Sequence, residues 1–503
     1  MSDKKVVVIG LDGVGYNLIK AWIDGGELPT LTRIAKEGCF GPLKSTIPPT
    51  TIPAWASFST GKNPGKLGIF YFVENPLDPD SKVINLNELP HRHLWEELCN
   101  QGKVCCIINF PLIYPPKKIR GTIICGFGVP PRKRDYVYPS TLIRDLDHID
   151  YKVDIEEYGL LPDSRLTTLR KKVIYQELIK IAKARVKALK ITAKKRKHDF
   201  FFILFKETDI LQHLFFDDKE KMLEYFKLID GYIEEIVSFF GQDTNYIIMS
   251  DHGFHPAPHR EFYINSWLKN KKYVDFNVPL LARLFRKELW YKLAKMMGEH
   301  RPFSILSKKI LKKTSAFLKE WPIKGTYWGI YIDKNFGRYE EVRERLIQEL
   351  RSLNEGGRKV FLMVSKREDI YSGKEVEKAP DIIWVPSPEY RVNPFVLSKK
   401  NFGSRITYLA GEHSSDLYGI LIAYGPDFKN NYLIKEAEII DLAPTILHLM
   451  GCRIPNDMDG RVLKEILKSP LATKPEIRYD KEILSKEKIK RKLRTLKYQL
   501  RKG

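Results

Sequence analysis

Three runs of this chain are apolar almost without interruption: KVVVIG at 5–10, DFFFILF at 199–205 and NYIIM at 245–249. Strands with one wet face alternate polar and apolar residues, so unbroken runs of this length point to strands covered on both sides. KVCCIINF (103–110), TIICGFG (122–128) and LYGILIAYGP (417–426) are of the same kind. Between them lie helical patterns: YNLIKAWIDGGELPTLTRIAKEG, residues 165–198 with a basic outer face, and IIDLAPTILHLMG (439–451). Strands alternating with helices imply an α/β fold with a doubly wound, mostly parallel sheet flanked by helices.

The rhythm breaks between 254 and 401, where aromatic and basic residues cluster around strand-like GTYWGIYID (325–333) and DIIWVPSP (381–388). The organisation expected is a catalytic core in two parts (1–253 and 402–470), an inserted cap (254–401) and a basic C-terminal tail (471–503). No apolar stretch reaches the roughly 18 residues of a membrane span, and MSDKKVVVIGLDGVG has no signal-peptide pattern. Six cysteines without a CxxC pair or regular spacing suit reduced thiols, so the expected location is cytoplasmic. The net charge of +23 is concentrated in local runs such as KKRK at 194–197. No zinc finger, RNP signature or P-loop converts that charge into specific nucleic-acid recognition. A solvated basic surface that attracts phosphorylated small molecules is the simpler reading.

Chemistry-bearing residues gather where the apolar runs stop. Asp12 follows the first run, Asp209 follows the second with His213 four residues on, Asp251-His252 ends the third, and His413 in GEHSS precedes the strand at 417. Ligands of open α/β sheets bind at the carboxyl ends of strands. Each residue alone has a structural alternative: a turn at Asp12-Gly13, a helix cap at Asp209, a strand-ending loop at Asp251-His252-Gly253. A threonine pair inside IPPTTIPAWASFSTGK (47–62) adds a hydroxyl group. Thr51 directly precedes Ile52-Pro53 and reads as the N-cap of a helix, where free amides favour anions. Three Asp, three His and one Thr form a donor mixture suited to two divalent metals that accept both N and O ligands.

The ordered set VVVIGLDGVG, LPTLTRIAKEG, TTIPAWASFSTGKNPGKLGI, KETDILQH, SDHGF, GEHSSDLYGILIAYGP and DLAPTILHLMG resembles the alkaline phosphatase superfamily. The branch is that of type I phosphodiesterases/nucleotide pyrophosphatases, with its related predicted phosphohydrolase/phosphomutase group. The resemblance implies that Asp209, His213 and His413 hold one metal, and that Asp12, Asp251, His252 and the nucleophile Thr51 belong to the other. Zinc is the expected metal, with manganese as a substitute. The implied reaction is cleavage of a phosphodiester or phosphomonoester, nucleotides among the substrates the resemblance allows, through a phospho-threonine intermediate. One departure stands out. Nucleotide pyrophosphatases of this type follow the threonine with a Phe-Pro-Asn stretch whose Asn helps bind a phosphoryl oxygen; here the stretch is Ile52-Pro53-Ala54. His255 and His259 in GFHPAPH suit loop or substrate contacts better than a third metal.

Two rivals remain at this level. A phosphomutase uses the same ligand set and returns the phosphoryl group to the substrate. A binding protein for anionic polymers or membrane surfaces could use the tail, where Ile489, Leu493, Leu496 and Leu500 share one helical face among lysines and arginines.

Overall fold

The apolar runs build one nine-stranded sheet in the computed structural model, which describes residues 4–78, 81–155, 168–274, 322–335, 337–394, 400–405, 407 and 409–479. Its strands are β1 (Lys5–Leu11), β2 (Cys39–Lys44), β3 (Cys105–Phe110), β4 (Gly121–Cys125), β5 (Val137–Tyr138), β6 (Phe200–Phe205), β7 (Thr244–Met249), β8 (Tyr418–Tyr424) and β9 (Tyr432–Leu433). Their order across the sheet is β9-β2-β8-β7-β1-β6-β3-β4-β5. β1 runs parallel to both neighbours, with Val8 opposite Phe202 and Ile247. Every residue of β3, β4, β6 and β7 is buried, which is why their sequences do not alternate. The sheet is flanked by helices, among them Thr168–Lys195, Glu207–Phe215 and Lys219–Phe240. The chain is thus α/β with a mixed, mostly parallel sheet, as its pattern requires.

Two strands, β5 (antiparallel to β4) and β8, run against the expectation of a simple parallel set. β8 is antiparallel to both β7 and β2. Its first residue therefore lies at the edge where β1, β6 and β7 end, so the segment before β8 reaches the same place as the segments after the others. β2, which the sequence reading missed, ends at this edge too, because reversing twice restores the direction. Its CFGPLK sequence contains Gly and Pro, residues depleted from strands, and lacks an apolar run. The helix Thr51–Thr60 follows shortly after β2, and all ten of its residues are buried. Trp55 on this helix meets Phe202 at 5.7 Å between ring centroids, and Phe110 meets Phe202 at 5.3 Å.

A second apolar core collects Phe262, Trp267, Ile330, Leu346 and Trp384. It is built on a four-stranded antiparallel sheet ordered Ile323–Gly325, Gly329–Ile332, Ile382–Pro386, Phe361–Lys366. Strands Tyr390–Asn393 and Phe402–Ser404 flank Arg260–Tyr263 beside it. The expected single strand over 325–333 is a hairpin instead. The Thr326 hydroxyl accepts from the amides of Trp328 (3.3 Å) and Gly329 (3.1 Å), which closes a turn where the residue pattern alone reads as continuous β. The two cores meet through Phe70, Tyr371, Val376 and Ile383, and the Tyr371 hydroxyl donates to the Ile47 carbonyl.

The Thr51 helix is fastened at its far end. Gly61 terminates it in the left-handed region (φ +66°), and its carbonyl accepts from the amides of Asp459 (2.8 Å) and Gly460 (3.1 Å). Lys62, only 1% exposed, pairs with Asp457, while Asn63 and Lys66 both hold the Asp459 carboxylate. All six cysteines are free. Among the described residues no helix is long and apolar enough to cross a membrane. The apolar face of Ile489, Leu493, Leu496 and Leu500 lies outside the described residues.

One buried ion pair links the helical layer to the sheet edge. Arg185 donates to Glu207 at 2.9 Å and to the carbonyls of Lys152 and Val153, with its guanidinium 4.8 Å above the Tyr151 ring. The two side chains are 1% and 3% exposed, and Glu207 opens the helix that carries Asp209 and His213. Arg185→Met strands a buried carboxylate and should cost about 3–5 kcal/mol. Adding Glu207→Gln should recover part of that loss. Urea unfolding followed by far-UV circular dichroism checks this; equal midpoints for the single and double variants would count against it.

Candidate metal centre

The site forms because five chain segments end or begin at one edge of the sheet. Asp12 comes from the end of β1, Asp251-His252 from the end of β7, and Asp209 with His213 from the first turns of the helix after β6. His413 arrives from the loop before the reversed strand β8, and Thr51 from the helix after β2. Asp12, Asp251 and His252 are fully buried; Thr51 and Asp209 are 8% exposed.

Backbone groups hold Asp251 and the three histidines. Gly13 lies in the left-handed region (φ +72°), and a Cβ there would come 3.1 Å from the Asp209 carboxylate. That turn aims the Gly13 amide at Asp251 Oδ1, 3.1 Å away. Trp55 Nε1 donates to Asp12 Oδ2 at 3.2 Å, and the Thr208 hydroxyl donates to the Asp12 carbonyl at 2.7 Å. The three histidines share one arrangement. Nδ1 of His213, His252 and His413 lies 2.9–3.0 Å from the carbonyls of Gly411, Gly253 and Pro49 respectively. A carbonyl can only accept, so Nδ1 carries the proton and the Nε2 lone pair is left for a ligand. The proline-rich stretch thus has a function of its own, since Pro49 orients His413.

The Nε2 atoms face the carboxylates: His213 to Asp209 at 3.5 Å, His252 to Asp251 at 3.3 Å and His252 to Asp12 at 3.6 Å. Two groups of potential ligand atoms lie within 4.8 Å of one another, Asp209/His252/His413 and Asp12/Asp251/His252. His252 belongs to both, and its ring stacks on His413 at 4.2 Å. Asp12 Oδ1, Asp209 Oδ1 and Asp251 Oδ2 are buried without a hydrogen-bond partner. Burial first, and then the charges of Asp251 and Asp209, push the Asp12 carboxyl well above its ordinary range; burial does the same to Asp251. Burial, aided by His413, pushes His252 down to about 3. Burial also raises Asp209, but His213, His413 and His252 outweigh it and hold that carboxyl low. Partnerless carboxylate oxygens beside neutral imidazoles fit a divalent cation and fit little else.

Thr51 differs from expectation in one respect. It is the first residue of its helix, and Thr50 is the N-cap, with extended backbone (φ −131°, ψ 148°) and its carbonyl accepting from Ala54. Proline is tolerated throughout the first helical turn, so Pro53 does not fix the boundary to a single residue. The Thr51 hydroxyl stands 3.5 Å from His252 Nε2. Ala54, where the related stretch carries Asn, is buried. His255 is committed to the loop: Nδ1 lies 2.8 Å from the Pro256 carbonyl, and Nε2 accepts from the Ser415 amide at 3.2 Å. His259 is exposed.

Sequence reasoning missed Trp55 and Lys206. Trp55 follows Thr51 by one helical turn, a spacing that could have flagged it. Lys206 is held by Asp154 at 2.8 Å over the Phe127 ring, and its charge acts on both Asp12 and Asp209.

A family model described as type I phosphodiesterase / nucleotide pyrophosphatase matches residues 6–415, a span that includes every residue of this centre. No curated protein matches the chain. The match covers most of the sequence, and with the geometry above it leads to one conclusion: the chain belongs to the type I phosphodiesterase/nucleotide pyrophosphatase family of the alkaline phosphatase superfamily, metal-dependent enzymes that hydrolyse phosphoric esters.

Proposed function

We propose that the protein is a two-metal phosphohydrolase that cleaves phosphodiester or phosphomonoester bonds through a phospho-threonine intermediate at Thr51. The observation that carries the reading is His252, which belongs to both ligand groups and whose Nε2 lies 3.5 Å from the Thr51 hydroxyl. Asp209, His213 and His413 would hold one ion; Asp12, Asp251, His252 and Thr51 would hold the other. Histidine-rich sites favour zinc, and manganese is an acceptable substitute. When bound, the ions supply positive charge that activates the hydroxyl and offsets charge on the phosphoryl group.

The chain's own groups do the rest. Thr51 Oγ loses its proton and attacks phosphorus in line as the bond to the leaving oxygen breaks and that oxygen departs protonated; water then cleaves the phospho-threonine, releasing phosphate and restoring the Thr51 hydroxyl. The first amides of the Thr51 helix have no intrahelical acceptor and suit the phosphoryl oxygens. The segment 254–401 acts as the cap. A phosphomutase is the second reading, because a unit packed over the site through Tyr371 and Ile47 could exclude water from the intermediate. Release of inorganic phosphate, as opposed to an isomeric phosphate ester, decides between them.

Metal analysis of the purified protein should give two ions per chain, and Asp12→Ala and Asp209→Ala should each lose a different one. One ion in the native protein, unchanged in both variants, would overturn the two-metal assignment. Thr51→Ala should lower turnover of p-nitrophenyl esters by at least a thousandfold, the scale on which losing a nucleophile acts. Thr51→Ser should retain measurable activity, and Thr50→Ala should not trap or lose the phosphoenzyme. Peptide mass spectrometry of the trapped phosphoenzyme locates the label; label on Thr50 refutes the assignment.

A further inference from the structure

Beside the metal centre, the two apolar units enclose a cavity of about 220 Å³. Thr50 and His413 line it together with the aromatic residues Tyr71, Phe72, Tyr327 and Trp328. Phe72 and Tyr327 remain 39% and 38% exposed. The walls are braced. Tyr71 and Thr326 hydroxyls lie 3.1 Å apart across the two units, and Trp384 Nε1 donates to the Tyr327 carbonyl at 2.9 Å. The Thr50 hydroxyl is buried with no hydrogen-bond partner.

The charges of the cavity decide what it can take. Glu412, the one carboxylate among the described lining residues, lies 2.6 Å from the Arg405 guanidinium and 3.7 Å from that of Arg391. Arg391 also stands 5.6 Å over the Tyr327 ring. At the Tyr327 ring the charges of Arg391 and Arg405 are matched by those of Glu412 and Glu261, which leaves no net negative charge. An aromatic box that bound a quaternary ammonium would need one. Small-molecule pockets generally run to roughly 300–1,000 Å³, so this one holds a single ring system and not a lipid tail or a second large group.

We propose that this cavity seats the organic group esterified to the substrate phosphate, and that it selects an uncharged aryl or heteroaryl group over an alkylammonium or long alkyl one. The proposal rests on the phosphohydrolase reading above, because it takes the phosphate to be centred near Thr51 and His252. From there the residues next in space, Thr50 and His413 (stacked on His252 at 4.2 Å), lead directly into the cavity. Tyr327 and Phe72 are then the specificity-determining residues, one from each unit.

Non-hydrolysable ligands test this on the metal-loaded full chain by calorimetric titration. Phenylphosphonate, ethylphosphonate and 2-aminoethylphosphonate are compared, with inorganic phosphate as reference. Phenylphosphonate should bind roughly tenfold more tightly than ethylphosphonate, the scale of a stacking contact, and 2-aminoethylphosphonate should gain nothing. In Tyr327→Ala and Phe72→Ala the phenyl-to-ethyl affinity ratio should fall towards one, while Tyr327→Phe should keep it. Phosphate binding with no phenyl preference, or a ratio unchanged in both alanine variants, overturns the inference alone. Failure of phosphate and all three phosphonates to bind overturns the phosphohydrolase reading itself.

Discussion

Three carboxylates in one buried site repel one another, and the architecture around them is an answer to that repulsion. Asp12, Asp209 and Asp251 arrive from separate segments, so no local sequence preference brings them together; the sheet does. In a low-dielectric interior each charge acts over several ångströms with little screening. The structure offers partial compensation through the Gly13 amide, the Trp55 indole and the charge of Lys206. Three buried carboxylate oxygens still lack any partner. The histidines are set up to share the remaining work, since the carbonyls of Gly411, Gly253 and Pro49 fix which nitrogen carries the proton. A polar cluster of this kind destabilises a fold unless a cation completes it, which makes the site a binding device first and a catalytic one afterwards.

Most of the sheet was legible because its strands are buried on both faces. A run such as FFFILF has no alternative environment in a chain of this composition. Asp12, Asp209 and Asp251 could be read as a set for the same reason, each standing just beyond such a run. Other features depend on contacts that the sequence does not display. β2 carries Gly41 and Pro42 and pairs near the sheet edge, so neither run length nor alternation marked it. The direction of β8 is set by pairing with β7 and β2, and this alone brings His413, which precedes β8, to the edge where β1, β6 and β7 end. The one-residue displacement of the Thr51 helix start is of the same type: dihedrals choose the boundary, and several residues could have served as cap.

The region 254–401 shows where pattern reading weakens most. Its described strands are short, its hairpin turns on a single threonine hydroxyl, and its core residues lie far apart in sequence. The aromatic residues of 254–401 were visible as a cluster, but not that Tyr327 and Trp328 would stand against Phe72 from the other unit. Surface chemistry assembled from two units is a property of their packing.

The fastening of the Thr51 helix bears on how the molecule comes into being. Lys62 meets Asp457 across 395 positions of chain, and Asn63 meets Asp459 across 396. Contacts of such separation form late, since the chain entropy of closing the loop must be met before they return anything. During synthesis the apolar strands up to β7 can already be paired while the helix that bears the hydroxyl still lacks its anchor, and the histidine contributed ahead of β8 has not yet been made. Until that part of the chain is made, the acidic ligands of the centre exist without its complete donor set. Chemistry and final anchoring arrive together, with the last part of the core.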